Sequence, residues 1–380
     1  MNSTFSTPLT PTELQSRTID FLRFPLTVFV VFIHSLGTPP LAYPDYANFG
    51  ATDFFNLIRI VGSNVLTHTA VPSFFLISGF LYFLHLKEWN ISVYRQKTRR
   101  RIQTLIIPYL LWNVISLMVR LGGCLLGKWI PGMGDTTFLD VCTPLNWLWN
   151  IEQWGFNNTS WIGEQVLRSG PLNVPLWFLR DLICISLLSP VVYYYVRFTR
   201  HWGVILLALC YASHIFPNWT GLGITSVFYF TLGAYFSIEG KNMIEWMQRY
   251  SKRLSICALV LFPIVVYYNG GNTKEGAILM PFFIISMLPL LFSWGAKCAM
   301  RGVQMPQLLS SCSFFIYALH SVVVLRLCIK ISETILPWDT AWIHLLRYFL
   351  VPVLIVACCI LVYAVLKKVC PRFLHLLTGR

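Results

Sequence analysis

Apolar residues fill the chain in long runs, and short polar clusters interrupt them. A helix needs about 20 mostly apolar residues to cross a bilayer. Ten segments fit that pattern: 18–37, 63–86, 102–126, 174–196, 203–217, 221–238, 254–270, 277–296, 308–330 and 342–366. The fifth is short, and only a Pro-Asn-Trp-Thr stretch parts it from the sixth. The pattern predicts an all-α fold, a polytopic membrane helical bundle. No internal repeat or soluble domain stands out. One membrane domain over 17–367 is expected, with short tails at 1–16 and 368–380. Met1–Ser16 is polar and lacks an apolar core, so it does not read as a cleavable signal peptide.

Composition agrees. Of 380 residues, 56% are hydrophobic and only 12% charged, against about 25% charged in soluble domains. The net charge of +14 then reports topology before it reports nucleic-acid binding, because Lys and Arg gather in cytoplasmic loops. With the N-terminus inside, the inner loops and tail hold Lys87, Arg95, Lys97, Arg99, Arg100, Arg101, Arg197, Arg200, Lys241, Arg249, Lys252, Arg253, Lys297, Arg301, Lys367, Lys368, Arg372 and Arg380. The outer loops hold only Arg59, Lys128, Arg168 and Lys274. That asymmetry predicts about ten crossings with both termini cytoplasmic, in a cell membrane. The longest connection, Gly127–Asn173, falls outside and is rich in Trp, Pro and Asn. It reads as an interfacial flap or a plain structural loop. Eleven Cys lie scattered, mostly in apolar runs and without CxxC spacing, so neither a disulfide framework nor a Cys metal site is expected.

Polar residues inside the spans carry the chemistry. Ionisable groups there cost several kcal/mol unless paired or solvated. The first span keeps Arg17, Asp20, Arg23 and His34. At about 100° per residue, Asp20, Arg23, Thr27 and His34 share one stripe, with Arg17 to one side. That stripe is expected to face the bundle interior. His34 lies about 16 Å along the helix from Arg23. The stripe thus has a cationic station at one end and a lone imidazole at the other. The plainer reading makes Arg17 and Arg23 interfacial anchors and Asp20 a simple partner. Ser78 and Gly79 interrupt an aromatic run and also suit close helix packing. Trp177, Arg180 and Asp181 share a face of the fourth span. Ser310, Ser313, Tyr317, His320 and Ser321 line a stripe of the ninth.

Five segments in order carry a resemblance: "RTIDFLRFPLTVFVVFIHS", "VPSFFLISGFL", "RRRIQTLIIPYLLWN", "VPLWFLRDL" and, more weakly, "FFIYALH". Together they resemble the acyltransferase-3 family of integral membrane acyltransferases, over nearly the whole chain. The resemblance implies transfer of an acyl group, often acetyl, from cytoplasmic acyl-CoA to a glycan or other hydroxyl acceptor across the membrane. It implies a bacterial inner membrane as the location. The family's key His matches His34 and its first-span Arg matches Arg23. Its Arg-x-x-Arg pair matches only at Arg101, because Thr104 stands at the second position.

Physical chemistry and resemblance converge on a division of labour. Arg17, Arg23 and Arg101, with Ser78 nearby, are candidates for the CoA phosphates, which guanidinium groups suit. His34 is the candidate general base for the acceptor hydroxyl, with Asp20 and Arg23 on the same stripe. Trp177, Arg180, Asp181, Tyr317 and His320 are candidates for the acceptor side, and Trp177, Arg180 and Tyr317 for the developing oxyanion. The competing function is a transporter or flippase for an anionic or glycan substrate, using the same charges without making a bond. A His34–His68–His320 metal site lacks ligand spacing and is not expected.

Overall fold

The computed structural model describes residues 9–35, 41–86, 88–127, 147–149, 156–159, 165–168, 170–216 and 219–379. Eleven helices follow in chain order: α1 (Pro11–His34), α2 (Ala51–Phe83), α3 (Ile91–Gly123), α4 (Val174–Leu187), α5 (Ser189–Ser213), α6 (Ile224–Ile238), α7 (Met243–Tyr267), α8 (Lys274–Met300), α9 (Gln307–Ile335), α10 (Ala341–Val369) and α11 (Pro371–Thr378). The one two-stranded sheet among the described residues is a short antiparallel hairpin, Phe156–Thr159 with Gln165–Arg168. Most of the Gly127–Asn173 connection, read from the sequence as a flap, lies outside the described residues.

Among the described residues, six helices are long and apolar enough to cross a membrane: α2, α3, α7, α8, α9 and α10. The α4–α5 pair adds a seventh if its 66° bend sits inside one span. Helix α1 falls outside this group because Glu13, Arg17, Asp20 and Arg23 crowd its first half. Helix α6 falls outside it because it has only 15 residues.

Local chemistry sets several boundaries. Thr10 caps α1 through a capping box: Glu13 N–H donates to Thr10 Oγ1 at 3.3 Å, and Thr10 N–H donates to Glu13 Oε2 at 2.9 Å. The first helix therefore starts at Pro11, inside the stretch expected to be a free tail. The stretch expected as a tail over 368–380 carries helix α11, Pro371–Thr378. Leu374 and Leu377 of α11 are buried, and Trp112 Nε1 donates to Leu377 O at 3.0 Å. Apolar spacing in that short helix favoured docking over solvation.

Helix α1 sits at the centre and packs on α2, α7, α8, α9 and α10. One end of the bundle gathers the start of α1, the end of α2 and the junction of α6 with α7. There Met243 N–H donates to Gln15 Oε1 at 2.9 Å and Ser237 Oγ to Phe80 O at 2.6 Å. This is the Arg17 end. The opposite end, the His34 end, gathers the end of α1 with Ser63 of α2, Tyr348 of α10 and Asn269 after α7.

Helices α2 and α6 meet through glycine. A Cβ at Gly79 would strike the backbone of Phe230, and one at Gly233 would strike the backbone of Leu76 and Phe80. The close-packing reading of the Ser78–Gly79 interruption therefore holds for Gly79. Backbone cannot yield as a side chain can, so Gly233→Leu should force the helices apart. A loss of about 1–3 kcal/mol is the usual scale of overpacking. Thermal unfolding in detergent should show a clear drop in Tm. A Tm equal to wild type would mean that α6 shifts freely.

Candidate functional site

Helix α1 delivers His34 as its last residue, partly buried, at the His34 end. Helix α9 delivers His320 opposite, fully buried, with the two ring centres 5.3 Å apart. His320 opens a π-helical segment, His320–Val324, inside α9. Such bulges shift the register of a helix and recur at functional sites. The His320 Nδ1 lies 2.8 Å from Tyr317 O and 3.2 Å from Ile316 O. A carbonyl can only accept, so Nδ1 carries the proton and Nε2 keeps its lone pair. That Nε2 is buried and has no hydrogen-bond partner. His68 is the other titratable neighbour of His34. Among the described residues, no three His, Cys, Asp or Glu side chains are placed to hold a metal ion.

A polar hub braces this end. Asn173, just before α4, donates through Nδ2 to Ala318 O at 2.9 Å and through N–H to Asn113 Oδ1 at 3.2 Å. Its Oδ1 accepts from Ser321 Oγ at 2.7 Å. Asn173 thus ties α3, α4 and the π segment of α9 together beside His320. The sequence reading put Asn173 at the edge of a loop and gave it no role. Ser63 and Asn64, in a second π segment at Ile60–Val65, were also missed. Ser63 donates to Phe32 O at 2.9 Å, and Asn64 donates to Asn269 Oδ1 at 2.7 Å. The Gly-Ser-Asn run inside an apolar stretch was the signal available.

Several expected site residues turn out to be occupied. Arg180 and Asp181 are buried and paired at 3.0 Å. Arg180 Nη1 also donates to Trp149 O at 2.7 Å, and Asp181 Oδ1 accepts from Gly221 N–H at 3.1 Å. The pair therefore fastens two connections to α4. Gly221 sits at φ +95°, with Trp149 where a Cβ would point, so glycine is required there. Tyr317 donates its hydroxyl to Pro175 O. Trp177 is partly buried on α4.

The cationic station is more open than expected. Asp20 and Arg23 pair at 3.2 Å, with side chains 57% and 38% exposed, and Arg17 is exposed. The expectation that the whole stripe faces inward is corrected here. Thr27 and the His34 end turn in, while Asp20 turns out, because the first turns of α1 lie at the end of the bundle. Arg101 on α3 lies over the Tyr82 ring at 4.9 Å, as does Lys97. Ser78 is partly buried one turn before Tyr82 on α2. Arg23 is held by Asp20, and Arg101 by the Tyr82 ring.

Comparison with known proteins fits this arrangement. The model of a family described as an acyltransferase domain, the acyltransferase-3 family, matches residues 17–364. The chain is 26% identical over 372 residues to the succinoglycan biosynthesis protein ExoH of Rhizobium meliloti (strain 1021), covering 96% of this chain and 92% of that protein. No solved structure gives a significant match. A match spanning α1 through most of α10, with His34, Arg23 and the α4 motif inside it, places the chain in the acyltransferase-3 family of membrane acyltransferases.

Proposed function

We propose that the protein moves an acyl group, acetyl in the first instance, from acyl-CoA to a hydroxyl of a glycan. The observation that carries this is the layout of α1. One continuous helix bears guanidinium groups at one end and, about 16 Å away, an imidazole that faces a second imidazole. The name of the relative, a succinoglycan biosynthesis protein, supports a glycan acceptor.

In this reading CoA phosphates meet Arg17, Arg23 and Arg101, with Ser78 beside them, at the Arg17 end. The thioester reaches toward the His34 end. His34 takes the proton from the acceptor hydroxyl as its oxygen attacks the thioester carbon. The C–S bond then breaks, and the thiolate leaving group takes up a proton. As His34 becomes charged, the Nε2 lone pair of His320, which has no partner among the described residues, takes up its other N–H and steadies the imidazolium. A base oriented by a third group is the usual arrangement for activating a hydroxyl. Arg180 and Asp181 shape the acceptor side through Trp149 and Gly221. Trp177 and Tyr317 complete the acceptor side, Tyr317 through its bond to Pro175 O.

We also propose ten crossings, α1 to α10, with both termini in the cytoplasm of a bacterial inner membrane. The Lys/Arg asymmetry supports this, and so does the alternation of helix ends. Helix α4 begins beside Tyr317 and ends where Tyr94 donates to Leu187 O at 3.1 Å. Helix α5 starts at that same end, where Ser189 meets Tyr82 at 2.8 Å. A break in α5 at Arg200, φ +51°, suits a chain that turns before rising again.

Three outcomes test these statements. His34→Gln should insert and fold, keep donor affinity, and lose about 10²–10⁴-fold in acyl transfer measured with purified protein. Retention of most activity would remove His34 as the base. Arg23→Ala and Arg101→Ala should each weaken acyl-CoA binding by about 1.5–3 kcal/mol in a calorimetric titration; unchanged affinity in both moves the donor site elsewhere. Reporter fusions at Asp135 and Arg380 should report opposite sides of the membrane, and a shared side overturns the ten-crossing topology.

A further inference from the structure

Arg59 is one of the few basic residues that the sequence assigns to an outer loop. The structure places it inside α2 instead, 1% exposed and among the largest fully buried side chains. Its contacts do not balance its charge. Nη1 reaches Asn56 Oδ1 at a long 3.4 Å, the guanidinium lies 4.9 Å from the centre of the Phe55 ring, and Nε has no hydrogen-bond partner. It takes no part in the ion pairs Arg23–Asp20, Arg180–Asp181 and His344–Asp339. Arginine does not shed its proton in proteins. A buried, uncompensated cation is costly to keep, and within a span it marks function by default.

Its neighbours form a seam between α2 and α10. Tyr348 stands within charge range of Arg59, and its hydroxyl meets Ser63 Oγ at 2.9 Å. Gly62 leaves the space that this hydroxyl fills. The His344 ring also stacks on Phe55, with ring centres 5.7 Å apart. His344 Nε2 meets Asp339 Oδ1 at 2.7 Å, while its Nδ1 is buried without a partner. Asp339 is thus engaged by His344. The other nearby carboxylate, Asp53, accepts from the backbone N–H groups of Asp45 and Gly50 at 2.8 and 3.0 Å. Two buried nitrogens without partners therefore lie near one aromatic ring, and among the described residues no carboxylate pairs with the guanidinium.

We propose that this seam is a subsite for an oxyanion, a carboxylate or a phosphate ester, borne by the sugar acceptor. A guanidinium fork matches both groups in two-point geometry. The position suits an acceptor. Ser63 bonds to Phe32 O, two residues before His34. Arg59 lies one helical turn, about 6 Å, further from the Arg17 end. It is sealed but shallow, about 12 Å along α2 from Ala51, where the first turn of α10 covers it. An anion held there would set a neighbouring hydroxyl against His34. The CoA phosphates do not compete for it, since they belong to the opposite end. Naming the ligand as the acceptor rests on the acyltransferase reading above; the anion site itself does not.

The test uses full-length protein in neutral detergent, followed by thermal unfolding. Glucuronate and glucose 1-phosphate are the anionic probes, glucose is the neutral control, and phosphatidylglycerol mixed micelles are the lipid control. At least one sugar anion should raise Tm increasingly with concentration, and glucose should not. Which anion does so tells carboxylate from phosphate. Arg59→Gln and Arg59→Met should weaken that effect at least tenfold; the Met variant keeps side-chain bulk and removes the buried charge. Arg59→Lys, which keeps the charge without the fork, should fall between, and it serves if the neutral variants do not fold. No stabilisation of wild type by either sugar anion overturns the proposal. So does equal stabilisation of the Met variant, or an effect confined to phosphatidylglycerol. Arg59-dependent anion binding by a protein that transfers no acyl group would leave the subsite standing and remove the transferase reading. Acyl transfer to neutral and anionic sugars alike, unchanged in Arg59→Met, would do the reverse.

Discussion

A charged helix can occupy the middle of a membrane bundle only if its polar groups are answered along its whole length, and α1 meets that condition in three ways. Its hydroxyls answer themselves. Thr18, Thr27 and Ser35 donate to the carbonyls of Leu14, Arg23 and Val31, at 2.6, 2.9 and 2.6 Å, and need no neighbour. Its charges stay near one end, where Asp20 and Arg23 pair and remain open to solvent. Its imidazole waits for the other end, where α9 supplies a second one. The remaining faces are apolar, and α2, α8, α9 and α10 close around them. The arrangement separates cations from imidazoles along a single element.

The His34 end is held by side-chain bonds where helical regularity fails. Two π segments, at Ile60–Val65 and His320–Val324, free the local backbone pattern there. Ser63, Asn64, Asn173 and Ser321 then stitch the pieces together. Polar bonds of this kind are worth about 1 kcal/mol each within a membrane. Their larger effect is geometric, since they settle where His320 stands relative to His34.

The buried Arg180–Asp181 pair belongs to the same scheme. A buried ion pair is poor evidence of net stability, because desolvation offsets much of the attraction. Its further bonds to Trp149 and Gly221 explain its place better. They bring two connections onto α4 and form the wall that Tyr317 and Pro175 continue.

Hydropathy in the sequence was enough to determine a membrane helical bundle, because removal of long apolar runs from water does not depend on their partners. The wheel of α1 separated the cationic station from His34, and the ordered motifs pointed to the family. Partner choice was another matter. Within a bilayer the lipid-facing and protein-facing sides of a helix are both apolar, so periodicity says little about which face meets which helix. Only the tertiary structure set His320 against His34, turned Asp20 outward, occupied Arg180 and Tyr317 with structural bonds, and drew Arg59 from a supposed loop into the α2–α10 seam. Most of those facts depend on contacts between segments far apart in the chain, and such contacts are decided by packing, which no local pattern encodes.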